Sequence, residues 1–313
     1  MKIFRRQAHL MGNRFVLGVV GNNESKAEEA LHLAVEEIKR IEALLSTYLE
    51  NSIINQVNQM AGKQPVKVPQ EVFQLIQRAQ KISDLTDGAF DLSYGSLDKR
   101  FWNFDLKMTQ LPNPTDAKAS VELINFKNIE LNLDNQSVFL KNVGMRIGFG
   151  GIGKGYAADR AKKVLIDLGF ENGLVNASGD LCAWGKDENG EAWKIALSNP
   201  DAPTEAIAEI PLNDYAVATS GTYEKFVWID GIKYSHTIHP KTGFPVRGIK
   251  SVTVIAPFAE LADALTTPVA VMGVEAGMHL LNQLNGIAGV VIDDDNRLFV
   301  TENLNKKAFA KTN

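Results

Sequence analysis

Two side chains in the C-terminal third combine a spacing with a chemistry. Asp263 and Thr267, in the stretch ADALTTPVAVMG, stand at i and i+4, so a helix would stack them on one face. A carboxylate and a hydroxyl are hard oxygen donors of the kind Mg²⁺ takes, because that ion binds few protein groups and keeps its other positions for water and phosphate. A plainer alternative makes Asp263 the N-cap of the helix it opens, and this stretch alone leaves both readings open.

A second candidate is residues 145–160, MRIGFGGIGKGYAADR, where an apolar, strand-like run breaks into glycines and becomes a helix. Gly148, Gly150, Gly151 and Gly153 lack a Cβ, so the chain is free to take positive φ there and to lie close to a ligand. The following helix carries Tyr156, Ala157, Ala161, Val164, Leu165 and Leu168 and stops at Gly169. Its amide end would face the turn and attract an anion such as phosphate. Gly148, Gly150 and Gly153 satisfy G-x-G-x-x-G, but the acidic residue expected about 20 positions on is absent. Gly148 through Lys154 also satisfies G-x-x-x-x-G-K, yet Gly155 stands where a phosphate-loop enzyme needs a Ser or Thr. A nucleotide phosphate therefore fits better than either standard fold, and a turn that merely lets a helix pack on a strand is the alternative.

His236 and His239 form an H-x-x-H pair without a third histidine or a cysteine nearby, which argues against zinc. A histidine near its ordinary pKa of about 6.5 would suit a general base that takes a proton from a hydroxyl, although lone histidines are more often structural. Tyr48 and Phe90, at loop-like positions, could stack on a flat ring or belong to the core.

The elements that must hold these residues are partly legible. Residues 14–20 read as a strand, and Ser25 with Glu28 makes a capping box before a helix whose stripe is Ala27, Leu31, Ala34, Val35, Ile38, Ile41 and Leu45. A second helix starts after Pro69 and ends near Gly88, a short one ends near Ile124, and a hairpin turns at Asp134-Asn135. Short strands follow in LVNAS, WKIAL, YAVAT, KFVWI, YSHTI and SVTVIA, helices return at about 259–284, and two strands close the chain around Asp293-Asp294-Asp295. Without regular βα repeats, this order predicts an α+β fold of mixed, largely antiparallel sheets with flanking helices, in two lobes enclosing a nucleotide cleft.

Composition narrows the function. The 313 residues are 45% hydrophobic and 22% charged, enough for one large domain or two lobes. A net charge of −4 gives no bulk attraction to nucleic acid, so an anionic ligand must be held locally. Cys182 is the only cysteine, which excludes an internal disulfide and a cysteine-based zinc cluster. The N-terminus does not read as a signal peptide and no window reaches the roughly 18–20 apolar residues of a membrane span. The expected compartment is the cytoplasm, or the periplasm or cell envelope if a leader has been removed.

These stretches together resemble the ApbE family of flavin transferases over about residues 8–302. The resemblance is carried by MGNRF at 11–15, LSTYLENSIINQVN at 45–58, GAFD at 88–91 and GGIGKGYAAD at 150–159. It continues in NASGDL at 176–181, ATSGTYEKF at 218–226, YSHTIHPKTGFPV at 234–246 and ADALTT at 262–267. The resemblance implies one ApbE-like domain over residues 1–313. It also implies Mg²⁺-dependent cleavage of FAD, with FMN moved to a threonine or serine hydroxyl of an acceptor flavoprotein and AMP released. The same site with water as acceptor would be an FAD pyrophosphatase, and a site without turnover would be an FAD-binding protein. Carried over by position, the metal ligands are Asp263, Thr267 and the backbone carbonyl of Gly151. The FAD contacts are Met11, Tyr48, Ala89, Phe90, Asp91, Gly148 and Lys154, and the general base is His236. The sequence departs from the family pattern at Gly148, where many relatives have Asp, at Ser178 in place of a Gly, and at His239 in place of a frequent Asp.

Overall fold

The computed structural model describes residues 1–100, 110–212, 214–221 and 226–304. The chain begins with a hairpin, β1 (Lys2–Leu10) and β2 (Asn13–Gly21), whose register runs from Lys2 opposite Gly21 to Leu10 opposite Asn13. Its two-residue turn, Met11-Gly12, has positive φ at both positions, the backbone twist that tight hairpins favour. The sequence pattern assigns no element to residues 2–10, where Lys2, Arg5 and Arg6 interrupt the apolar run. Such charges suit the edge strand they form, since they discourage pairing with another chain.

Helix α1 (Glu24–Leu45) buries the whole expected stripe, but its cap is Asn23, whose side chain accepts from the Lys26 N–H, rather than Ser25. After it come α2 (Ile53–Gln59), β3 (Val66–Lys67), α3 (Gln70–Leu85) and α4 (Pro114–Ala119). The expected hairpin is β4 (Ile129–Asn132) with β5 (Ser137–Leu140), and β3 adds to it as a three-stranded sheet. Residues 145–149, expected to be strand-like, join no ladder. They lead into α5 (Gly153–Asp167), then β6 (Gly173–Ala177) and β7 (Asp180–Trp184). A long hairpin, β8 (Trp193–Asn199) and β9 (Ala202–Leu212), precedes β10 (Ala216–Gly221) and the small hairpin β11 (Phe226–Ile229) and β12 (Ile232–Ser235). The chain continues through β13 (Ile249–Ala256), α6 (Ala259–Met272), α7 (Val274–Gln283), β14 (Ala288–Asp293) and β15 (Leu298–Val300).

The main sheet has the order β1-β2-β6-β7-β10-β13-β14-β15, with every neighbour antiparallel. The α+β class expected from the sequence is therefore the one observed. One face packs against α1, α5 and α6 through Phe15, Leu17, Leu31, Ile38 and Leu265. Burying such side chains contributes roughly 1.5–3 kcal/mol each. The β8–β9 hairpin covers apolar residues of the opposite face, where Trp193, Leu197 and Ile210 meet Leu181, Val217 and Ile255. Cys182 lies in the main core, as expected of a small apolar residue. Among the described residues no helix is long and apolar enough to cross a membrane.

Candidate functional site

The segment entering the glycine turn is held by side chains instead of a strand ladder. Asn58 of α2 grips Ile147 on both backbone groups, accepting its N–H at 2.7 Å and donating to its carbonyl at 3.0 Å. Ser96 does the same for Arg146, and the Gly148 N–H donates to the Leu92 carbonyl. Two short stretches with a loop-like sequence, 53–59 and 92–96, thus fix the turn. Both mix core residues, Ile54, Val57 and Leu92, with polar ones and are too short for a periodic signal, so sequence periodicity could not find their role.

None of Gly148, Gly150, Gly151 and Gly153 has positive φ, so of the two expectations for them the dihedral one is not met. Space is what distinguishes them. A Cβ on Gly151 would lie 3.6 Å from the Phe90 ring and 4.0 Å from Thr267 Oγ1, and one on Gly153 3.6 Å from Met11 Cε. On Gly148 it would meet Thr47, next to Tyr48, at 3.6 Å, whereas on Gly150 it would meet nothing within 4 Å. A bare backbone facing open space leaves room for a ligand. The glycine that the fold cannot lose is Gly155, whose Cβ would stand 2.1 Å from the Ala259 carbonyl oxygen.

That close approach joins α5 to α6. Helix α6 starts at Ala259, four residues before Asp263, so Asp263 is not the cap of its own helix. Its buried carboxylate instead accepts the Gly155 N–H of α5 at 3.1 Å. In return Asp159 of α5 accepts the N–H groups of Ala259 and Glu260, at 3.0 and 2.8 Å, where Phe258 offers no side-chain cap. Each helix satisfies orphan donors at the other's N-terminus. Asp263 and Thr267 keep the shared face expected for i and i+4.

Lys154 pairs directly with Asp180 and lies 3.7 Å from Asp263 Oδ1. Burial opposes its charge, but the two carboxylates more than offset this and hold its pKa above the ordinary lysine value. Burial pushes the Asp263 carboxyl up, against the pull of Lys154 and the Gly155 N–H. Asp180 reaches this point from a hairpin whose turn residues, Ser178 and Gly179, both have positive φ. Ser178 therefore occupies a left-handed position that a Gly takes more cheaply.

The remaining candidates are placed as follows. Met11 is fixed by its N–H on the Glu42 carboxylate at 2.9 Å. Tyr48 exposes 91% of its surface. Ala89 and the buried Phe90 sit in the turn after α3, their N–H groups donated to the Thr86 carbonyl and hydroxyl. Asp91 directs its carboxylate inward, accepting from the Ser93 N–H and hydroxyl and from the Phe126 N–H, so it shapes the loop. Burial raises its pKa. His236 is half-buried just beyond β12, and its loop is tied to the site by Tyr94, whose hydroxyl accepts the Ile238 N–H at 2.9 Å. Gly95, next to Tyr94, packs against the Ile147–Gly148 backbone. His239 Nδ1 accepts the Lys241 N–H, a turn-forming role, and burial lowers its pKa. Residues 222–225 of the ATSGTYEKF stretch lie outside the described residues.

Among the described residues no three His, Cys, Asp or Glu side chains stand together as a metal cluster. The oxygen set still suits Mg²⁺, which needs few protein ligands. Asp180 and Asp263 are only 2% and 5% exposed and both face the Lys154 ammonium. The Thr267 hydroxyl beside Gly151 makes no hydrogen bond among the described residues.

Comparison with known proteins identifies the family. The chain is 34% identical over 304 residues to a protein of Klebsiella pneumoniae named FAD:protein FMN transferase, a match covering 96% of this chain and 90% of that one. A Treponema pallidum protein of the same name is 30% identical, over 86% of this chain and 79% of its own. Among solved structures, the ApbE protein of Thermotoga maritima superposes with a TM-score of 0.87 at 29% identity, covering 99% of this chain and 100% of that chain. The apo flavinyl transferase ApbE of Pseudomonas stutzeri gives 0.86 at 26% identity, covering 100% and 98%. With the ApbE family profile matching residues 11–291 around the same turn and helix, this chain belongs to the ApbE family.

Proposed function

We propose that this protein is a Mg²⁺-dependent FAD:protein FMN transferase, acting as one catalytic domain that moves FMN from FAD to a threonine or serine hydroxyl of an acceptor flavoprotein. The observation that carries this reading is the meeting of Gly151, Lys154, Asp263 and Thr267 at the α5–α6 contact, beside the open face of Gly150. Asp263, Thr267 and the Gly151 carbonyl would hold Mg²⁺, which when bound supplies positive charge to the pyrophosphate. Lys154 offers a further positive charge to the phosphates, and the bare backbone at Gly150 lets them come close. The exposed ring of Tyr48 offers a platform for the flavin. His236 takes the proton from the acceptor hydroxyl as its oxygen bonds to the FMN phosphorus. The bond to the AMP phosphate breaks in the same displacement, and AMP leaves.

The test incubates the protein with FAD and Mg²⁺, with and without an acceptor domain bearing the threonine, and follows acceptor mass and released nucleotide together. An acceptor heavier by one FMN, with AMP formed and both lost in Asp263→Ala, is expected. Free FMN and AMP with an unlabelled acceptor would instead mark an FAD pyrophosphatase, and intact FAD throughout would mark a binding protein without turnover.

A further inference from the structure

Lys154 draws its two carboxylate partners from opposite sides of the site. Asp180 opens β7 in the main sheet, and Asp263 lies in the second turn of α6. The ammonium is in direct contact with Asp180, whereas its nearest Asp263 oxygen is 3.7 Å away. Asp263 spends one oxygen on the Gly155 N–H, and the oxygen nearest Lys154 is the other one. The closer partner of the lysine is therefore the carboxylate outside the proposed ligand set. A single ammonium between two buried carboxylates is drawn to whichever binds it better, and it competes with any other cation for the one it faces.

We propose that Asp180 is a positioning residue that holds the Lys154 ammonium away from Asp263, so that the Asp263 carboxylate is available to a divalent cation while the lysine stays charged beside it. This rests on the reading of Asp263 as a Mg²⁺ ligand. Deprived of Asp180, Lys154 keeps only Asp263 as a carboxylate partner among the described residues, and Mg²⁺ must then displace the ammonium to bind. The arrangement lets two positive groups approach the same phosphates without contending for one carboxylate.

The experiment is calorimetric titration of the full-length, FAD-free protein with MgCl₂ alone, for wild type, Asp180→Asn, Lys154→Met and the double variant, so that no turnover is needed. Asp180→Asn is expected to weaken Mg²⁺ binding by roughly 10- to 100-fold, the range found when an outer partner of a metal ligand is lost. Lys154→Met in the same chain is expected to restore most of that loss, because the competitor is gone. Lys154→Met alone, which does not depend on Asp180→Asn folding, is expected to bind Mg²⁺ at least as tightly as wild type. Unchanged affinity in Asp180→Asn, a loss that the second substitution fails to relieve, or weaker binding in Lys154→Met would each overturn the proposal. The metal reading would survive these results. A wild-type protein that binds no Mg²⁺ would remove the metal reading and this proposal together.

Discussion

Replacing Asp159 by Asn tests the mutual capping of α5 and α6 through its dependence on pH. Burial holds the Asp159 carboxyl at about 6, above its ordinary 3.8. The Ala259 and Glu260 N–H groups and the charge of Lys162 pull it down, and the charge of Glu260 adds to the rise. The buried Cys182 thiol and the Arg78 guanidinium also feel its charge. Since the folded value lies above the unfolded one, the native state binds the extra proton between those two values. The stabilisation from this group is full below 3.8 and is lost as pH rises through 6. A shift of two units at about 1.36 kcal/mol per unit amounts to about 3 kcal/mol. Asp159→Asn removes the titration and turns one acceptor into a donor facing a backbone N–H, a loss on the order of 1–3 kcal/mol at any pH. Wild-type stability minus that of the variant should therefore fall by about 3 kcal/mol between pH of about 3.5 and 7.5. Urea unfolding of both proteins across that range, followed by far-UV circular dichroism at constant ionic strength, measures the difference directly. A difference that stays flat with pH would refute the reasoning. The variant is also expected to lose activity at neutral pH, where its stability deficit is smallest, because the start of α6 keeps only one of its two anchors.

Glycine substitutions separate folding from binding. Gly155→Ala would drive a Cβ into the Ala259 backbone and is expected to lower stability by about 1–3 kcal/mol in thermal or urea unfolding. Gly150→Ala meets nothing, so its stability should stay within about 0.5 kcal/mol of wild type while FAD affinity falls. Equal stability losses in both variants would contradict this division. Tyr48→Ala should leave the unfolding midpoint unchanged, because the ring is exposed, and weaken FAD binding by about 0.5–1.5 kcal/mol if the ring stacks on the flavin. Undiminished FAD affinity by fluorescence titration would remove Tyr48 from the site.

What the sequence disclosed was whatever its own short-range pattern encodes. The α1 stripe, the helix after Pro69, the hairpin at Asp134-Asn135 and the common face of Asp263 and Thr267 depend on residues a few positions apart, and all are present. Strand β9 was missed because its polar residues mask the alternation, and β7 because it is buried at every position and shows none. The true roles of Asn58, Asp159 and Asp180 were equally hidden, since their partners lie 89, 100 and 26 residues away. Of the two expectations for the glycine turn, positive φ is absent, while space has a counterpart in the structure: close approach decides Gly155 and open space decides Gly150.

The mutual capping of α5 and α6 also sets an order of events during synthesis. The Gly155–Asp263 and Asp159–Ala259 bonds close loops of 108 and 100 residues. They lie one helical turn apart, so once the first loop has met its closure entropy the second adds little further cost. A ribosome adding about 5–20 residues per second leaves α5 waiting roughly 5–20 s for its counterpart. Through that interval the Gly155 N–H waits for Asp263, and among the described residues Lys154 has only Asp180 as its carboxylate partner. The glycine turn is therefore assembled late, after the sheet strands up to β13 have been made, and a chain stopped before α6 holds the glycines without their partners on α6.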